Sequence, residues 1–175
     1  MSYADDHPLN GAFLAIRLDR LADLIAEQGE QLLRDAGLEM PSRTVSLFLL
    51  LGEHGPLSAA DIARMLGQPH QLVTQRADIL LNLALIERRS DAADGRRKIL
   101  TLSAAGDDQF ARLRIRLGEA ADAFAQLYRE IECDLAAMVT KAATALRQTP
   151  LPQRINALPS PTPHHGDQQA ILEHD

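Results

Sequence analysis

One cysteine, no tryptophan and 3% aromatic side chains in 175 residues narrow the chain's chemistry from the start. A single thiol excludes an intrachain disulfide framework. Cys133 lies between Glu132 and Asp134, whose carboxylates disfavour the thiolate, so it reads as a packing or surface group. His7, His54, His70, His164, His165 and His174 are scattered, with no i, i+4 pair and no CxxC, so no metal site is expected. The sequence has no Gly-rich phosphate loop, no GxSxG, no HExxH and no Cys–His pair with a base. The expectation is therefore a non-enzyme without a cofactor. No apolar run is long enough to cross a bilayer, the densest being Val45 to Leu51. The first eight residues carry Asp5 and Asp6 and lack the basic-then-apolar order of a secretory signal. A cytoplasmic protein with no membrane partner is expected.

What is present is helix-forming. Apolar residues make up 46% of the chain and charged residues 24%, and with so few rings the core must be built from Leu, Ala, Ile and Val. The net charge of −6 argues against a nucleic-acid partner only if it is evenly spread. It is not. Residues 1–61 hold 4 basic and 10 acidic side chains, and residues 103–175 hold 7 and 10. Residues 62–102 invert the balance, with 7 basic (Arg64, Arg76, Arg88, Arg89, Arg96, Arg97, Lys98) against 4 acidic. Phosphate binding follows local potential, so a basic island in an acidic chain can be a nucleic-acid face.

Helical periodicity runs over 9–36 through Phe13, Ile16, Leu21, Leu24, Ile25, Leu32 and Leu33, and Gly37 stops it. Pro41 and Ser42 open a second helix over 44–54, with Val45, Phe48, Leu49 and Leu51 available for burial, and Gly55-Pro56 closes it. Ser58 and Asp61 read as a capping pair for a short helix over 59–66. Gly67 ends that helix, and Pro69 introduces another over 70–83. Two short helices around a Gly-containing turn make a helix-turn-helix candidate. Residues 85–89 and 98–102 then read as strands joined by a polar turn containing Asp94-Gly95. Ser103 caps a helix reaching about 127–128, and a last helix near 130–147 is expected to bury Ile131, Leu135, Met138, Val139 and Leu146. Five prolines mark 148–175 as a tail without a core of its own.

The ordered segments LSAADIARMLG (57–67), VTQRADILLNLALIERR (73–89) and DGRRKILTLSAAG (94–106) resemble the MarR family of transcriptional regulators. The most specific element is Asp94-x-Arg96 followed by Leu102-Ser103 and Gly106. The pattern departs from the family at Gln75, where arginine is common, at Ala84, where glycine is common, and at Gln68, where an apolar residue is usual. The resemblance implies a mostly α fold with a small β wing. A winged helix-turn-helix domain over 41–102 would be flanked by dimerisation helices over 9–36 and 103–147. It also implies a homodimer on a pseudo-palindromic operator, repression as the common outcome, and release by a small aromatic or phenolic acid.

On that reading His70, Gln71, Thr74 and Gln75 are the base-reading candidates, because a helix entering the major groove needs polar groups near its N-terminal end. Val73, Ala77 and Leu80 fall on the opposite face. Arg76 would reach a flanking phosphate. Arg96 at the wing tip suits a narrow minor groove, Asp94 would orient it, and Arg97 and Lys98 would add backbone attraction. By analogy with relatives, Phe13, Arg17, Phe48 and His54 would form a ring-lined effector cavity with a cation for a carboxylate. The alternative is a winged-helix module for protein contact, docking through Leu72, Ile79 and Leu81.

Overall fold

A computed structural model describes residues 3–90 and 97–159. The chain divides into two units, Met1–Ala123 and Phe124–Asp175. The first contains α1 (Tyr3–Asp6), a 3-10 turn (Asn10–Phe13), α2 (Leu14–Asp35) and a second 3-10 turn (Ser42–Thr44). Then come α3 (Val45–His54), α4 (Ala59–Leu66), α5 (His70–Asn82), β1 (Ile86–Ser90) and β2 (Lys98–Leu102). The division falls within α6 (Ala104–Glu130), and the second unit continues with α7 (Leu135–Gln148) and α8 (Leu151–Asn156). The architecture is a mostly helical winged helix with one two-stranded antiparallel sheet.

The core of the first unit is aliphatic, as the composition requires. Leu47, Leu51, Ile62, Val73, Ala77, Leu80, Leu100 and Leu113 are all buried, and Phe48 is the one ring in that cluster. Leu47 was not anticipated as a core residue, and Val45 and Leu49 are only half-buried. Polar ends are satisfied locally. The Ser58 hydroxyl accepts from the Asp61 backbone N–H at 3.2 Å and donates to its carboxylate at 2.6 Å, closing the first turn of α4. Gly67, with φ of 62°, ends α4 in the left-handed conformation, and the Gln68 N–H returns to the Ala63 carbonyl at 2.9 Å.

The end of α5 explains one departure in the sequence. Ala84 has φ of 55°, and the Leu85 N–H bonds the Leu80 carbonyl at 3.0 Å across the reversal. Glycine is common there because a Cβ is strained in that conformation. The strands follow at once, in the register Ile86↔Leu102, Arg88↔Leu100 and Ser90↔Lys98. Leu57 bridges Leu100, with backbone bonds of 3.0 and 2.8 Å, and so joins the sheet to the segment just before α4. Gly106 is required by close packing, since a Cβ there would stand 2.1 Å from the Leu85 carbonyl oxygen. The Ser103 hydroxyl donates to the Ala84 carbonyl at 2.7 Å and accepts from the Gly106 N–H at 3.0 Å. The Leu102-Ser103…Gly106 spacing is thus the seating of α6 on the exit of α5.

The flanking helices differ from expectation. The segment 9–36 begins as a 3-10 turn and becomes α-helical only at Leu14. The last helix starts at Leu135, because Glu132 adopts φ of 52° and Asp134 caps the new helix by accepting from the Ala137 N–H at 2.9 Å. Its expected burial is not found: Ile131, Met138, Val139 and Leu146 are exposed and Leu135 is half-buried. Their apolar stripe has helical spacing, but within one chain no described element covers it. In the segment read as a coreless tail, residues 151–156 are helical. Pro152 occupies the first turn of α8, and Arg154 bonds the Thr149 and Ala145 carbonyls at 2.9 Å each. Every residue of α8 is exposed.

Candidate nucleic-acid interface

Helix α5 separates its faces cleanly. Val73, Ala77 and Leu80 are buried, while His70, Gln71 and Gln75 are exposed on the opposite side. Thr74 shares that outer face but is half-buried, and its hydroxyl donates to the His70 carbonyl at 3.0 Å. The same face carries Asp78, whose charge would oppose phosphate. Arg88 of β1 meets it at 3.2 Å and offsets the charge.

Two of the expected phosphate contacts are engaged elsewhere. Arg76 Nη1 donates to Gln68 Oε1 at 2.6 Å, across the turn between α4 and α5. Its Nε is buried with no hydrogen-bond partner among the described residues. Gln68, unusual for the family, is therefore the acceptor that turns Arg76 inward. Arg97 Nη2 donates to the Ser58 hydroxyl at 3.0 Å and pairs with Asp61 Oδ2. Its guanidinium lies at the start of α4 rather than standing free. Lys98 is exposed, and its ammonium donates to Ser90 Oγ at 2.9 Å across the strand pair. Asp94 and Arg96 fall outside the described residues.

Asp61 is the electrostatic centre of this arrangement. The Ser58 hydroxyl bond lowers its pKa most, followed by the Arg64 hydrogen bond, with the Arg97 and Arg64 charges adding to the effect and burial opposing it. No local sequence signal marks the Asp61–Arg97 pair, because 36 residues separate its members.

The four residues assigned to an effector cavity do not gather. Phe48 is fully buried in the core, and His54 is exposed at the end of α3. Phe13 packs edge-on against His7 and Tyr3, and Arg17 lies 3.7 Å from Asp5. A cavity of about 440 Å³ lies elsewhere in the first unit, lined in part by Glu30, Arg34, Met40, Ile79 and Leu83. Leu72, Ile79 and Leu81, the alternative docking face, are all half-buried, and Leu81 packs on the core.

A strand pair following a helix-turn-helix whose second helix exposes its polar face defines a winged-helix fold. Residues 38–97 match the family model of the MarR family. No curated protein matches the chain. Among solved structures it is similar to the S. aureus MepR–DNA complex, at 22% identity and a TM-score of 0.63, over 75% of this chain and 96% of that one. It is also similar to AbfR in its reduced, DNA-bound form, at 20% identity and a TM-score of 0.53, over 70% and 91%. The adhesin competence repressor AdcR of Streptococcus pyogenes matches at 19% identity and a TM-score of 0.52, over 77% and 95%. At these identities the likeness establishes the fold.

Proposed function

We propose that the chain is a sequence-specific transcription regulator, a repressor by the family's common habit, that binds duplex DNA as a homodimer. The observation that carries this reading is the outer face of α5: His70, Gln71 and Gln75 are exposed over a buried Val73–Ala77–Leu80 face. A glutamine there can pair bidentately with adenine N6 and N7 in the major groove. The basic segment beside it, with Arg96 in the sequence between the strands and Lys98 on β2, would supply attraction to the neighbouring minor groove and backbone. The exposed apolar residues of α2 (Leu14, Leu18, Leu21, Leu24 and Ile25) and of α7 (Met138, Val139 and Leu146) are the surface for the second copy. Two copies would present two α5 helices to successive major grooves, which a half-site spacing of one helical turn would match.

Effector release stays part of the proposal, but at the 440 Å³ cavity rather than at the residues first assigned. Ile79 and Leu83 at its edge connect its occupancy to α5. Its lining holds the carboxylates of Glu30 and Glu39 against the single cation of Arg34. That balance favours a neutral or cationic small molecule over an aromatic acid.

The test is a binding titration against duplex DNA from upstream of the chain's own gene. Saturable binding at physiological salt is expected, with two copies per site and about tenfold or greater loss on Gln75→Ala at the contacted base pair. Arg96→Ala should lower the log–log salt slope by roughly one unit. Binding that disappears above low salt, with no preference among sequences, would overturn the reading.

A further inference from the structure

We infer that Arg97 is a positioning residue that fastens the wing to the helix-turn-helix through Asp61 and Ser58, and is not a phosphate contact. The inference rests on the regulator reading and assigns this arginine a different role from the one its charge suggests. The wing is joined to the start of α4 at two places. One is the backbone bridge between Leu57 and Leu100. The other lies just before β2, where the Arg97 guanidinium reaches both the Ser58 hydroxyl and the Asp61 carboxylate.

The Arg88–Asp78 pair already ties β1 to α5. The Arg97 contact gives the β2 side of the ribbon its own side-chain attachment to the helix-turn-helix, beyond the backbone bridge. Arg97 is the residue immediately after Arg96 in the sequence. The acceptor set is also well organised. Asp61 takes bonds from the Ser58 hydroxyl, from Arg64 at 3.1 Å and from Arg97, and its side chain is 24% exposed. Ser58 is 7% exposed and is already fixed as the cap of α4. Both bonds are made by Nη2, which arginine carries further from its Cα than lysine carries its ammonium.

A phosphate contact and a fastening residue predict opposite outcomes for Asp61. If Arg97 bound phosphate, removing Asp61 would release the arginine and delete a negative charge, so DNA binding would tighten. If Arg97 fastens the wing, removing Asp61 weakens binding. The experiment compares Asp61→Asn, Arg97→Ala, Arg97→Lys and the Asp61→Asn/Arg97→Ala double variant in the full chain. Backbone hydrogen exchange over 98–102 is measured without DNA, and affinity for the upstream duplex is measured at several salt concentrations. Faster exchange in both single variants is expected, with affinity about fivefold weaker, an unchanged salt slope and a double variant no worse than either single one. Arg97→Lys should recover only part of the loss. Tighter binding by Asp61→Asn, a slope reduced by about 0.9 in Arg97→Ala, or unchanged exchange in both would overturn the inference. Should the unaltered protein not bind the duplex while exchange responds as stated, the fastening stands and the regulator reading falls.

Discussion

The winged-helix core and the helices that flank it solve the burial problem differently. From Leu38 to Leu102 the apolar side chains find one another within one chain. Phe48, Leu47, Ile62, Val73 and Leu80 lose all contact with solvent, Ser58 caps the start of α4, and backbone bonds close the C-terminal ends of α3, α4 and α5. In α2 only Leu33 is buried and in α7 nothing is, although both carry apolar residues at helical spacing. Leu24 is 50% exposed and Val139 53%. Amphipathicity is therefore equally clear in the two regions, but only one of them has its complement in the same chain. The core stands by itself, and the apolar faces of the flanks are those the proposed second copy would cover.

Breaking each region in turn should separate these two kinds of stability. Phe48→Ala should have the largest effect, about 3–5 kcal/mol lost from unfolding free energy, measured by denaturant melts and independent of protein concentration. Leu24→Glu should leave the core's own melt little changed but abolish the second copy's contribution. An affinity loss of about 100-fold in sedimentation, and a melting temperature that no longer rises with concentration, are expected. A core that unfolded together with that change would erase the distinction. Gly106→Ala should cost about 1–3 kcal/mol, since its Cβ would press on backbone rather than on a flexible side chain.

Smaller effects sharpen the contrast within the core itself. Ala84→Gly should stabilise by about 1 kcal/mol, because it removes the strain of a left-handed alanine at the end of α5. The Asp61 carboxyl is held below its ordinary value of 3.8 by the Ser58 hydroxyl first and by Arg64 and Arg97 after it. A depressed folded-state pKa gives stability that is fully present above the unfolded value and disappears as pH falls through the folded one. Unaltered protein should thus exceed Asp61→Asn in stability by a constant margin from neutral pH down to about 5. That margin should close in more acid solution, as read by melts across the range. A margin that closed near neutrality would assign the dependence to another group.

Much of the core was legible because its signals are local. Ser58 with Asp61, Gly67 and Pro69 delimit α4 and α5, and the polar-over-apolar split of α5 follows from 3.6-residue spacing alone. The polar turn with Asp94-Gly95 between two short runs likewise announced the strand pair. Even the oddity of Ala84 was visible, and the structure supplies its cause in a positive φ. Less was legible at the candidate interface. His70, Gln71 and Gln75, read as base contacts, are exposed, whereas Arg76 and Arg97 were assigned to phosphate by charge alone. Charge says what a group can attract; it does not say which partner reaches it first.

The sequence by itself determined the helices, the turn between α4 and α5, the strand pair and the basic bias of this region, because capping, periodicity and net charge act over a few residues. Only the tertiary structure decided that Arg76 turns to Gln68, that Arg97 meets Asp61 across 36 residues, and that Phe13, Arg17, Phe48 and His54 stay apart. Those outcomes depend on which distant side chains the packed backbone brings within hydrogen-bond reach, and no short stretch of sequence contains that distance.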